Sequence, residues 1–268
     1  MSESGWLTRS LEQDYPYDFN FNGKITPERL KQSFLTTVAE IQKGGNSAKE
    51  VLLALLKGGI NYREANKIEI TKIENKEVDM ENIIKILESH FSRQYKTRGG
   101  SKLPVLAFYA IYSILVPEMT RYNGCVLLPL GSHTASDRTS NSAGDIEIKK
   151  GDHIFEAVEI KLDKPVTPQI IRVAYEKINK FGTERYYILS GVSQNLADVA
   201  ENNKLVSKIR DEHGCQVIIN GLYQSLKYYM RLLTSPNVFL NKYIELVEKD
   251  NELQPEHKTY LAELLRIL

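Results

Sequence analysis

Three residues define the chemistry this sequence could perform. Asp145 stands in the segment GDIEI, residues 144–148, and Glu159 and Lys161 stand in FEAVEIK, residues 155–161. Both segments alternate apolar with charged or small residues, the period of a strand with two different faces. In the first, Ile146 and Ile148 share one face, so Asp145 and Glu147 share the other. In the second, Glu159 and Lys161 project from one face, and Ile154, Val158 and Ile160 take the opposite one. Lys150-Gly151-Asp152 between them is a turn signal, so the two strands form an antiparallel hairpin. Asp145 then lies across from a residue between 157 and 159. A directly opposed pair holds its Cβ atoms roughly 4.5–5.5 Å apart, which brings two carboxylates and an ammonium to one spot. Two adjacent carboxylates repel unless a cation lies between them. Such oxygen donors suit Mg²⁺, which keeps several of its waters and shares the phosphate of a substrate. The lysine is a compact charge that can orient or help deprotonate an attacking water, or steady charge developing on phosphate. Together these groups describe metal-assisted phosphodiester hydrolysis. Taken alone, D-x13-E-x-K also describes a solvated salt-bridge ladder on an exposed hairpin.

The elements that must position these residues follow from the rest of the pattern. Residues 124–130 form a short strand before the hairpin, and 145–149 and 153–161 are its two strands. A helix over 168–181, a strand over 185–190 rich in β-formers, a helix from about 197 to 213 and a strand over 215–220 complete a β-β-α-β-α-β core. Helices near 221–233, 236–250 and 255–267 close the chain. The part before residue 120 reads as helical. A helix follows Pro27 with Thr26 as its cap, turning Leu30, Phe34, Val38 and Ile41 to one side until Gly44-Gly45. A second, short helix runs from Ala48 to Leu56 and stops at Gly58-Gly59. KIEITKIE, residues 67–74, alternates like a strand, and Asp79 opens a helix through Phe91. The apolar stretch Leu103 to Val116 is a buried core helix opened by Ser101 and Pro104. The fold class is therefore α/β, a mixed sheet flanked by helices, with a helical N-terminal region and a helical C-terminal tail. In domain terms, 1–120 is a mostly helical region for DNA grip or dimer contacts, and 121–268 is the catalytic core with the C-terminal helices.

The order hairpin, helix, strand beneath D-x13-E-x-K resembles the PD-(D/E)xK nuclease superfamily over about residues 124–220. Asp145 matches the first acidic position, Glu159 the second and Lys161 the lysine; Gly144 stands where the family has proline. The helix that follows, with Gln169 and Tyr175, continues the resemblance. The context SDRTSNSAGDIEI and FEAVEIKLDKPVTPQ, with RGGSKLPVLAFYAIY upstream, is similar to type II restriction endonucleases that accompany cytosine methyltransferases. The resemblance implies Asp145 and Glu159 as ligands of Mg²⁺, joined in that family's manner by the Ile160 carbonyl, and Lys161 as the group that positions and activates water. It also implies 5′-phosphate and 3′-hydroxyl ends, a cognate DNA methyltransferase in the same system, and a homodimer, because cutting both strands of a palindrome takes two sites. Two secondary candidates remain. Glu147 shares the face of Asp145 and is an extra ligand or a plain strand residue. Glu156 runs out of phase with Glu159 and would contribute only through a bulge or by pairing behind the sheet.

Double-stranded DNA needs contacts beyond the reacting phosphate. The segment from Arg93 to Lys102 carries four positive charges and no acid and leads into the apolar helix. Arg98 and Lys102 are its candidates for a phosphate clamp, since Gly-Gly amides and a helix N-terminus favour anions. The hydroxyl-rich loop 131–144 precedes Asp145, and its Ser136, Asp137, Arg138 and Asn141 can meet phosphates and base edges. Lys164 and Gln169 border the same cleft.

Composition narrows the classes. The chain has 268 residues, 42% hydrophobic and 26% charged, with a net charge of +1. That excludes a polycation and an acidic tail, while leaving room for a local basic patch. Cys125 and Cys215 stand alone, which excludes a disulfide framework and a Cys-rich zinc site. The five histidines show no ligand spacing, and no phosphate-binding G-x-x-x-x-G-K-[ST] loop is present. With no basic-then-apolar N-terminus, the sequence reads as cytoplasmic. The function expected is a Mg²⁺-dependent type II restriction endonuclease; the alternatives are a structure-specific repair or recombination nuclease, and a non-catalytic DNA-binding module on the same fold.

Overall fold

The computed structural model describes residues 17–23, 25–45, 47–65, 68–74, 77–131 and 142–268. The chain divides into two compact units, Met1–Lys67 and Ile68–Leu268. The first holds helices α1 (Glu28–Gln42) and α2 (Ala48–Ala65). Leu35 and Ala39 are the buried residues of α1, whereas Leu30 is exposed. Helix α2 runs through Gly58-Gly59 instead of stopping there. Neither glycine takes a positive φ, and each costs an exposed helix only about 1 kcal/mol relative to alanine, so the helix formers on both sides carry it through.

The second unit is built on a five-stranded sheet in the order β1-β2-β3-β4-β5. The strands are β1 (Cys125–Leu127), β2 (Ile146–Lys150), β3 (His153–Lys161), β4 (Arg185–Ser190) and β5 (Gln216–Gly221). The first three are antiparallel, and β3, β4 and β5 are parallel, joined by helices α5 (Pro168–Phe181) and α6 (Leu196–His213). Helices α3 (Met80–Ser92) and α4 (Lys102–Glu118) precede the sheet; α7 (Leu222–Met230), α8 (Pro236–Lys249) and α9 (Pro255–Leu265) follow it. This is the mixed α/β architecture with helices at both ends that the sequence pattern implies.

Strand β3 is central and buried on both faces, so it borders two separate cores. One gathers Ala157, Tyr186 and Ile188 with Ile171, Ala174 and Ile178 of α5. The other sets Val158, Ile160, Tyr187 and Leu189 against α4, α7 and α8. Helix α4 supplies Leu103, Leu106, Phe108, Ile111 and Leu115 to that second core, as its unbroken apolar run requires. Between β2 and β3 the register steps from Ile148↔Glu156 to Lys149↔Ile154, leaving Phe155 as an extra residue. This bulge corrects one expectation: Ile154 leaves the face of Val158 and Ile160 and packs with Ala157, while Phe155 joins the other core.

The strand expected at 67–74 is also corrected, because described residues 68–74 pair with no strand. Side chains of α8 take the place of a neighbouring strand. Asn241 accepts the N–H of Ile73 at 2.9 Å and donates to its carbonyl at 3.0 Å. Asn237 accepts from Val78 at 3.0 Å, and Glu248 accepts from Ile70. The alternation reflects a segment with one buried side, Ile70 and Val78 entering the core, and a helix face meets its hydrogen bonds.

Candidate active site

The site begins where β2 enters the sheet beside β3. The backbone N–H of Asp145 donates to the Val158 carbonyl at 2.8 Å, and continuing the β2–β3 register by one step sets Asp145 opposite Glu159. Gly144 permits this approach: a Cβ there would lie 2.7 Å from the Val158 carbonyl oxygen, a clash with backbone that cannot move aside. Asp145 Oδ2 accepts the N–H of Ile160 at 2.7 Å, which fixes the carboxylate against the edge of β3. Burial, and then the charge of Glu159, push the Asp145 carboxyl up to about 7, against the pull of the Ile160 N–H, Lys161 and Lys177.

Glu159 is almost enclosed, its side chain 6% exposed. Lys161 Nζ lies 2.7 Å from its Oε1 and Lys177 Nζ 3.0 Å from its Oε2. The Tyr186 hydroxyl lies 2.8 Å from the Ala143 carbonyl and 3.2 Å from Glu159 Oε2. The structure thus brings Asp145, Glu159 and Lys161 together and adds two groups the sequence reading did not single out, Lys177 and Tyr186. Both had a signal. Lys177 stands at i+8 from Gln169 with Val173 between, one stripe of α5, and Tyr186 alternates in phase with the buried Ile188. The helix opens with Pro168 in its first turn and ends at Gly182 in the left-handed region, and its Ile171, Ala174 and Ile178 pack with Ala157 of β3 and Tyr186 and Ile188 of β4. Glu159, Lys161, Gln169, Val173 and Lys177 line one pocket there.

The other candidates are distributed differently. Glu147 folds back to accept the N–H of Ala143, bracing the turn before β2. Glu156 is fully buried behind the sheet. Its Oε1 accepts from Tyr112 at 2.8 Å and Tyr122 at 3.1 Å, and its Oε2 meets Arg121 at 2.7 Å. Gln169 and Lys164 are exposed near the start of α5. Lys102 is not brought to the site. Its side chain is 7% exposed and pairs with Asp250 at 2.7 Å and Glu252 at 3.0 Å, so it ties α4 to the C-terminal helices. In the same loop, the amides of Lys96 and Thr97 donate to Glu256, Arg93 stacks on Tyr260 at 3.9 Å, and Arg98 is exposed. Ser136, Asp137, Arg138 and Asn141 lie outside the described residues.

Among the described residues no cluster of three or more His, Cys, Asp or Glu side chains is gathered. The donors the site offers are the Asp145 and Glu159 carboxylates and the Ile160 main-chain carbonyl between Glu159 and Lys161. An all-oxygen set this small fits a hard divalent ion that keeps most of its waters, and does not fit zinc.

No curated protein matches this sequence. Residues 75–192 match the family model of the SacI restriction endonuclease C-terminal domain. That span is less than half of the chain, but it runs from before α3 to just past β4 and contains Asp145, Glu159, Lys161 and Lys177. Over this stretch the chain is similar to that domain, and the match supports a type II restriction endonuclease.

Proposed function

We propose that this chain is a Mg²⁺-dependent, sequence-specific type II restriction endonuclease built on a PD-(D/E)xK core, cutting double-stranded DNA to leave 5′-phosphate and 3′-hydroxyl ends. One observation carries the reading: Asp145, just ahead of β2, stands opposite Glu159 of β3, whose carboxylate meets Lys161 at a pocket. Asp145, Glu159 and the Ile160 carbonyl would hold the ion, which when bound supplies charge neutralisation at the phosphate and a more acidic water. The chain's own residues do the rest. The Ile160 N–H and the Gly144 approach hold Asp145 in place, so the site is organised before substrate arrives. Lys161, held 2.7 Å from Glu159, orients the attacking water and steadies the charge that builds on the phosphoryl oxygens as water adds to phosphorus and the bond to the 3′ oxygen breaks. Exposed Arg98, Lys164 and Gln169, with the loop residues Ser136, Asp137, Arg138 and Asn141, are the groups assigned to DNA. The reading carries with it a homodimer, a cognate DNA methyltransferase and a cytoplasmic location.

The test is incubation of the purified chain with mixed plasmid DNA and Mg²⁺. Discrete fragments with ligatable 5′-phosphate ends are expected, abolished by chelator and by Asp145→Ala. Preference for branched substrates would mark a repair nuclease, and binding without cutting a non-catalytic module; either result overturns the proposal.

A further inference from the structure

Glu159 has two carboxylate oxygens, and each faces an ammonium: Lys161 on Oε1 at 2.7 Å and Lys177 on Oε2 at 3.0 Å. A divalent cation approaching Glu159 therefore meets a lysine at either oxygen and competes with it. The two are not equivalent. Lys161 lies on the same strand and face as Glu159, two residues further on, so its reach is set by β3 itself. Lys177 comes from α5, across the pocket wall formed by Val173 and Ala174, with its side chain 12% exposed. Nothing in strand geometry demands it there, and a lysine so enclosed needs a partner of opposite charge. Its partner is the carboxylate that also faces Asp145.

We propose that Lys177 is a positioning residue for Glu159: an internal counter-ion that holds this carboxylate in place before a divalent cation binds and competes with that cation for the same oxygen. The proposal rests on the divalent-cation reading of Asp145 and Glu159. Its consequence is a sign that simple structural support would not produce. Two acids stand against two lysines, so removing Lys177 leaves uncompensated negative charge and an Oε2 met only by the neutral Tyr186 hydroxyl, and both strengthen cation binding. Loss of a merely structural contact loosens the site and weakens it. The same lysine keeps the carboxylate from swinging out of line, so a site without it binds the ion better and reacts less well.

The experiment is titration of Mn²⁺ into the full-length protein without DNA, followed by calorimetry or by the Mn²⁺ electron paramagnetic resonance signal. Wild type, Lys177→Met, Lys177→Arg and Asp145→Asn are compared, with circular dichroism to confirm folding. Methionine retains the apolar stem that lies along the pocket wall. Lys177→Met should bind Mn²⁺ about tenfold more tightly than wild type, Lys177→Arg within about twofold of wild type, and Asp145→Asn at least about tenfold more weakly. In cleavage, Lys177→Met should reach half-maximal rate at lower Mg²⁺ with a reduced kcat and an unchanged KM for DNA. If Asp145→Asn weakens the ion but Lys177→Met does not tighten it, the counter-ion role is wrong and the cation site stands. If neither substitution changes Mn²⁺ binding, the ion is held elsewhere and both readings fall.

Discussion

Strand β3 carries two enclosed glutamates three residues apart, and they live in different worlds. Glu156, behind the sheet, is met by neutral hydroxyls of Tyr112 and Tyr122 and one guanidinium, Arg121. Burial raises its carboxyl above the ordinary range while those donors pull it back, and no second acid is near it among its partners. Glu159, on the other face, is met by two ammoniums and set opposite Asp145, whose own carboxyl burial and Glu159 push up to about 7. A carboxylate met by phenols and one guanidinium, with no second acid opposite it, is a joint in the frame. A pair of carboxylates that repel beside a pocket is an unfinished site, with an affinity left over for something not in the chain. The bulge at Phe155 marks the transition between the two, since it lets Phe155 and Glu156 both serve the rear core while Ala157 and Glu159 face α5.

The widest separation between the two comes from alanine. Glu159→Ala should reduce cleavage by at least about 10³-fold, roughly 4 kcal/mol of transition-state stabilisation, and cost less stability than Glu156→Ala, because Asp145 is relieved of repulsion and remains beside Lys161 and Lys177. Glu156→Ala should do the opposite. It leaves two phenols and a guanidinium around an empty site and should cost about 3–4 kcal/mol of folding stability, while each molecule that remains folded cuts at the wild-type rate. Paired urea melts and cleavage rates measure both. A Glu156→Ala protein that is stable but inactive would make the two faces one functional unit and end the distinction.

How far the sequence revealed this contrast depends on range. The hairpin, its turn and the phase of Asp145, Glu159 and Lys161 were legible because they are local and follow a period of two. Strand β3 was read to its ends, His153 to Lys161. Glu156 was legible only as out of phase. Its partners Tyr112, Arg121 and Tyr122 arrive from 34 to 44 residues away, so nothing in the local pattern could name them. Lys102 failed for the same reason. A basic residue after Gly-Gly at a helix start is a fair phosphate ligand until Asp250 and Glu252, about 150 residues on, claim it. The strand expected near Ile70 failed because alternation reports one buried side, not what pairs with the backbone. Lys177 was within reach, since it shares the stripe of Gln169, but a lysine facing a sheet reads as solvated until a buried glutamate is placed beneath it.

A smaller effect tests whether the rear core admits charge at all. His90 lies in the same apolar layer that Glu156 borders, with Nδ1 2.8 Å from the Tyr243 hydroxyl and Nε2 3.0 Å from the His257 carbonyl. The carbonyl can only accept, so Nε2 carries the proton and Nδ1 accepts from the tyrosine. Burial, the largest influence, lowers the ring to about 4 despite the His257 carbonyl, which favours the charged form. The folded state therefore binds this proton less readily than the unfolded chain. The stability it contributes is complete above about pH 6.5 and is lost as pH falls toward 4, about 3 kcal/mol in all. Urea midpoints at pH 7, 5.5 and 4 should show this fall in wild type and a shallower one in His90→Gln. Equal slopes would mean that His90 does not resist protonation and that the rear layer is wetter than its packing implies.

The smallest effects refine the comparison hydroxyl by hydroxyl. Each glutamate has a tyrosine beside it, Tyr112 on Glu156 and Tyr186 on Glu159. Phenylalanine at either position removes one oxygen and keeps the ring. Tyr112→Phe takes one of several donors from a carboxylate that has no other task and should cost about 1–1.5 kcal/mol of stability with no change in kcat. Tyr186→Phe should cost about as much stability, because the Ala143 carbonyl loses its 2.8 Å donor, but it should also lower kcat by up to about tenfold. The Ala143 carbonyl is two residues before Asp145, and the hydroxyl links that turn to Glu159, so its loss loosens both acids at once. A double-mutant cycle between Tyr186→Phe and Lys177→Met reads the link directly. Coupling of about 0.5 kcal/mol or more in kcat is expected, since both side chains act on Glu159 Oε2, whereas Tyr112→Phe combined with Lys177→Met should be additive across the sheet. Additivity in both cycles would mean that Tyr186 serves only the turn, leaving the two lysines to hold the carboxylate.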